Sequence, residues 1–99
     1  MPRKDVKLLD DHFQFVECNP INLSALIRQT LDEAIKGDRE LPKRTKRNTF
    51  GHEMHHTAVA IDEDHKSFID NYDFVFAIFV HDVIEERIEF ERQLDEIDN

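Results

Sequence analysis

The segments DVKLLDDHFQFVECNPINLSALIRQTLDEAI (residues 5–35) and AVAIDEDHKSFIDNYDFVFAIFVHDVIEERI (residues 58–88) lie over one another without a gap at an offset of 53. Over the thirty positions from 6 onward six are identical: Val6/Val59, Asp11/Asp64, His12/His65, Phe15/Phe68, Glu33/Glu86 and Ile35/Ile88. Eight more pair apolar with apolar, such as Leu8/Ile61, Val16/Ile69, Leu23/Phe76, Ile27/Val80 and Leu31/Ile84, and three pair acid with acid. A repeat recognised before any element is assigned obliges both copies to be the same supersecondary unit.

Each copy reads as strand, short helix, longer helix. Val6 and Leu8, like Val59 and Ile61, alternate with other residues as a half-buried strand does. Asp10 or Asp11, and Glu63 or Asp64, then stand where a helix N-terminus favours negative charge. Phe15 and Val16, or Phe68, Ile69 and Tyr72, supply a narrow apolar stripe for one short helix, which Asn19-Pro20 breaks in the first copy. The longer helix opens at Asn22 or Ser24 and carries Leu23, Leu26, Ile27, Thr30, Leu31, Ala34 and Ile35 at helical spacing before Gly37 ends it. FVFAIFV (residues 74–80) alone would pass for a buried strand. Its alignment with INLSALI, and the spacing of Val80, Val83, Ile84 and Ile88, make it a helix that Phe90, Leu94 and Ile97 extend towards the C-terminus. That overhang is a candidate contact with a second chain. Cys18 reads as a small, partly buried residue at a helix end.

Length and charge bound the rest. Ninety-nine residues make one compact domain the default. A net charge of −9 argues against a general nucleic-acid coat or docking on anionic lipid. The single Cys cannot form an intrachain disulfide, which favours a reducing compartment. The longest apolar run, residues 74–80, is far below the roughly 20 residues of a membrane span. MPRKDVKLLDD has no apolar core for a signal peptide, so the expected location is cytoplasmic. The charge is uneven: residues 1–53 carry a net +1 and residues 54–99 a net −10. Basic residues gather at Arg3, Lys4 and Lys7 and in RELPKRTKR (residues 39–47), either a solvated linker or an arm that follows a phosphate backbone.

A strand followed by two helices, the second opening NLSALIRQTLDEAI, resembles the ribbon-helix-helix family of DNA-binding repressors. The resemblance is most specific over residues 5–36 and reduces to the apolar skeleton over residues 58–90. It implies that two copies intertwine, that their strands pair into an antiparallel ribbon entering the major groove, and that the N-terminus of the longer helix holds a phosphate. The residues of the first copy suit that chemistry. With Val6 and Leu8 facing the core, Asp5, Lys7 and Leu9 face outward, and Lys7 is able to donate to a guanine edge. Asn22 and Ser24 would frame free backbone N–H groups for a phosphate, with Arg28 one turn on. Equally, Asn22 and Ser24 serve as plain caps, and Arg28 as an i,i+4 partner of Asp32.

The second copy lacks this chemistry: Ala58 and Ala60 take the outward strand positions, Val75 and Ala77 the cap positions, and His81 that of Arg28. The expected fold is therefore α+β and mostly helical, with a short antiparallel ribbon. Residues 1–37 form the first unit, 38–56 a basic and histidine-rich linker, and 57–99 an acidic second unit. The two units pair within one chain as a pseudo-dimer, or the first unit pairs with that of another chain in a homodimer.

His52-Glu53-Met54-His55-His56 matches the HExxH spacing of zinc proteases, which requires a helix. Gly51 before it and the strand pattern after it deny one, so the segment reads as a solvated loop end, with His52, His55 and His56 as weak metal candidates. No Gly-rich phosphate loop and no nucleophile–base arrangement stands out, and neither enzymatic activity nor a cofactor is expected. The sequence points to a transcriptional regulator that binds double-stranded DNA through Arg3, Lys4, Asp5, Lys7, Asn22, Ser24, Arg28, Lys43, Arg44, Lys46 and Arg47. The alternative is a protein-binding module, antitoxin-like or a DNA mimic, whose acidic C-terminal half engages a protein partner.

Overall fold

The computed structural model describes residues 2–19, 21–46 and 51–97. The chain runs β1 (Arg3–Leu9), α1 (Asp10–Cys18), α2 (Leu23–Ile35), β2 (Met54–Ala60), α3 (Glu63–Asn71) and α4 (Phe76–Ile97), two strand-helix-helix units. The helices begin at the repeat spacing: Asp10 and Glu63, then Leu23 and Phe76, stand 53 residues apart. FVFAIFV enters α4 from Phe76 onward, and α4 continues nine residues beyond the point matching the end of α2.

Local chemistry fixes the ends. The Asn22 side chain accepts a hydrogen bond from Ala25 N at 3.1 Å, capping α2. At the other end Gly37 N donates to Ala34 O and Asp38 N to Glu33 O, the paired bonds of a Schellman turn, with Gly37 at φ 84°. Nothing lies within 4 Å of the place a Gly37 Cβ would take, so Gly37→Ala tests the backbone conformation alone. It should cost about 1–2 kcal/mol, read as a lower urea midpoint with unchanged slope. α3 is capped by Asp62, whose side chain accepts from the His65 backbone while Asp62 N donates to His65 Nδ1 at 3.2 Å. The cap position of α1 is Leu9, which offers no side-chain bond; Asp10 N donates instead to Glu53 O at 2.9 Å.

β1 and β2 pair antiparallel within the chain, which decides between the two arrangements open to the sequence. Asp5 lies opposite Ala58, its own counterpart at the offset of 53, so a pseudo-two-fold axis passes between them. The side chains obey the same symmetry. His12 Nε2 meets Glu85 Oε1 at 2.9 Å and His65 Nε2 meets Asp32 Oδ1 at 2.6 Å; His12 and His65 are repeat equivalents, as are Asp32 and Glu85. Each unit's first helix is thus bonded to the other unit's second helix. β2 opens at Met54, opposite Leu9, so the strand takes in Met54, His55 and His56, which the sequence reading gave to the linker.

One core serves both units. Val6, Leu8 and Val59 of the strands join Ile27 and Leu31 of α2, Ile69 of α3, and Phe79, Val80, Val83 and Ile84 of α4. Phe13, Phe15 and Val16 of α1 close its side. Burying the stripes of both units together is what makes ninety-nine residues sufficient, because either unit alone would leave half of this apolar surface in water. Cys18, expected to be partly buried, is exposed: it ends α1 on the turn away from the core. Tyr72, assigned to the stripe of the short helix, falls just past the end of α3 and is also exposed.

Candidate nucleic-acid interface

The helices pack on one face of the two-stranded ribbon and leave the other bare. Successive strand residues point to opposite faces, so the pairs Arg3/Ala60, Asp5/Ala58 and Lys7/His56 share the outer one. Arg3, Asp5, Lys7, His56 and Ala58 are exposed, while Val6, Leu8 and Val59 point into the core. Leu9, expected to face outward, is buried although its backbone is still extended, as the last residue of β1 and the cap position of α1. Lys4 sits opposite Val59 and is half-buried on the helical side.

The start of α2 is tied to the end of β2. Ser24 Oγ accepts from Ala60 N at 3.0 Å, and Arg28 Nη1 donates to Ala60 O at 3.2 Å. Two residues singled out for phosphate thus satisfy both backbone groups of one edge residue and hold the strand against the helix. Asp32 bonds His65, across the unit boundary.

The basic segment after α2 lies along the acidic helix α4. Arg39 is paired with Glu86, and its guanidinium sits 5.5 Å from the centre of the Phe79 ring; Arg44 is paired with Asp82. Leu41 packs against the core between them. Lys43 and Lys46 remain exposed, and Arg47 lies outside the described residues.

The HExxH match is not helical. Met54, His55 and His56 belong to β2, so His55 and His56 face opposite ways and cannot join His52 in one coordination sphere as the sequence had allowed. His55 stacks on Phe13 with ring centres 4.4 Å apart, and its Nε2 meets Asp10 Oδ1 at 2.7 Å. The ligand atoms of Asp10, Glu53 and His55 lie within 4.8 Å of one another, as do those of His12, His81 and Glu85. The second set was not among the sequence candidates, although His12/His65 identity together with the acid pair at 32 and 85 was its trace.

Among the described residues no helix is long and apolar enough to cross a membrane. Comparison with protein-family models, curated proteins and solved structures gave no match. Fold and faces together define a small two-unit strand-helix-helix α+β module, consistent with a ribbon-helix-helix-like architecture. Its shape is compatible with binding nucleic acid or protein.

Proposed function

We propose that the chain is a DNA-binding regulator that sets the outer face of its ribbon in the major groove. The observation that carries this reading is the outer ribbon face, which no helix among the described residues covers, with Arg3 and Lys7 exposed on β1 either side of the pseudo-two-fold axis. A two-stranded ribbon fits the groove, about 12 Å wide, and long basic side chains reach base edges or phosphates from it. The net charge of −9 sets a condition: attraction must be local to this face, with Lys4 on the helical side of β1 and the exposed Lys43 and Lys46 after α2 as cations beyond it. Because both strands come from one chain, β1 supplies the charged groups and β2 mostly alanine. The preferred target is therefore asymmetric, not a palindrome.

Fluorescence anisotropy of labelled duplex DNA, including the gene's own upstream region, tests this at about 50 and 200 mM salt. Binding should weaken with salt and survive unlabelled nonspecific competitor. Replacing Arg3 and Lys7 together with alanine should lower affinity by about tenfold or more without moving the thermal midpoint. Absence of binding at low salt, with the protein folded, would overturn the reading.

One feature favours a protein-binding module instead. The extension of α4 exposes Phe90 and Leu94, an apolar strip beside the ion pairs Arg87–Glu91 and Arg92–Glu89 that suits a partner with an apolar face of its own. Such a module would retain its partner after Arg3 and Lys7 are replaced.

A further inference from the structure

We propose that His12, His81 and Glu85 form a binding site for a divalent transition metal, zinc being the best fit, that joins the two units. His81 and Glu85 are one turn apart on α4, which puts both side chains on one face of the helix; His12 comes from α1 of the other unit. His12 Nε2 is 2.9 Å from Glu85 Oε1, and His81 Nε2 is 3.8 Å from the same oxygen. Zinc bound tetrahedrally by nitrogen and oxygen at roughly 2.0–2.2 Å holds its ligand atoms about 3.3–3.6 Å apart, a spacing these two distances bracket. The two imidazole rings lie with centres 4.6 Å apart, tilted by 53°, and one ligand atom from each of His12, His81 and Glu85 lies within 4.8 Å of the other two.

The chemistry of the donors agrees. Two imidazoles and one carboxylate suit zinc, nickel or copper far better than calcium or magnesium, which prefer oxygen. His12 is 2% exposed, and its Nδ1 has no hydrogen-bond partner, so a single contact to Glu85 anchors an otherwise buried polar ring. Glu85 lies about half in solvent, giving the ion a way in and leaving room for water as a fourth ligand.

Pseudo-symmetry provides an internal reference. The equivalent positions in the other half are His65, Arg28 and Asp32, with the same histidine–carboxylate contact at 2.6 Å. There a permanently charged guanidinium stands where His81 stands, and it can neither ligate nor tolerate a cation. One backbone frame thus carries a pair closed to metal and a triad open to it; the carboxylate changes only from Asp32 to Glu85, and the deciding difference is His81 in place of Arg28.

Isothermal titration of the full chain with zinc chloride, with cobalt(II) absorption as a geometric probe, tests the site. The expected result is one equivalent of zinc, a tetrahedral cobalt spectrum, and a thermal midpoint that rises with zinc. His81→Arg recreates a residue that the other unit already accommodates, and Glu85→Gln changes an exposed group; both should keep the metal-free midpoint and weaken zinc by about tenfold or more. A chain carrying His52→Asn, His55→Asn and His56→Asn should bind as the parent does. The proposal is overturned if zinc fails to bind at millimolar concentration. It is equally overturned if binding survives His81→Arg, or if it disappears in the His52, His55 and His56 variant while that protein remains folded.

Discussion

Phe79→Ala should remove a large part of the stability of the protein. Phe79 is fully buried at the centre of the shared core, with the Phe74 and Phe76 rings 5.8 and 6.4 Å away by their centres and Arg39 laid over its face. Truncating such a ring costs about 3–5 kcal/mol, the lost transfer energy plus that of the cavity left behind. A domain of this length holds about 5–15 kcal/mol in all, so a single ring carries a large fraction of it. Urea denaturation followed by circular dichroism should show the midpoint falling by about 1–3 M. The repeat gives the control. Leu26 occupies the equivalent position in α2 but is only half-buried, so Leu26→Ala should cost about half as much or less. Equal losses at both positions would mean that the common core is not centred on α4.

That inequality between equivalent positions explains how much of the fold was legible in the sequence. The offset of 53 locates both strands and the starts of all four helices, because apolar periodicity is a local property written into each copy, while a cap in one copy (Asn22, Asp62) marks the start in the other. It also settled FVFAIFV, whose own pattern admits strand or helix. Pairing was not legible: strands with the same alternation join equally well within a chain or between chains, and only tertiary geometry brings Asp5 opposite Ala58. Leu9 shows a smaller failure of the same kind. Strand alternation predicts it outward, but at the junction of β1 and α1 it is buried while its backbone is still extended, an environment that local alternation does not encode.

Polar residues were harder still. Their identities stand out in the sequence while their partners do not, since a hydroxyl or guanidinium bonds whatever the fold delivers to it. The sequence suits Ser24 to a phosphate or a plain cap, and Arg28 to a phosphate or to Asp32, yet the end of β2 arrives at the same point and bonds both. The segment at residues 39–47 was read as solvated or bound to DNA. The imbalance between a near-neutral half and a strongly acidic one already held the third option, that Arg39 and Arg44 would settle on the acids of α4. The reciprocal histidine–carboxylate pairs leave the clearest trace, but identity between repeat copies reports shared packing as readily as shared chemistry.

His65 supports the second large effect, since it serves both a helix cap and the junction between units. It is 3% exposed, its Nδ1 accepts from Asp62 N at 3.2 Å, and its Nε2 lies 2.6 Å from Asp32 Oδ1. An acceptor at Nδ1 assigns the proton to Nε2, so the neutral ring donates to Asp32 and satisfies both contacts without carrying charge. His65→Ala removes both bonds, opens a small cavity and strips the reciprocal half of the capping box; the expected loss is about 2–3 kcal/mol. His65→Gln separates the contributions. Glutamine at the third helical position can accept from the cap backbone as histidine does, so it should recover about 1 kcal/mol of that loss, while the bond to Asp32 stays broken. A cycle with Asp32→Ala then isolates the bond between units. Asp32 is more than half exposed, which limits the coupling to about 0.5–1.5 kcal/mol. Denaturation of the four proteins gives these values directly. A coupling near zero would reduce His65 to a cap of its own helix and leave apolar burial as the force that joins the halves.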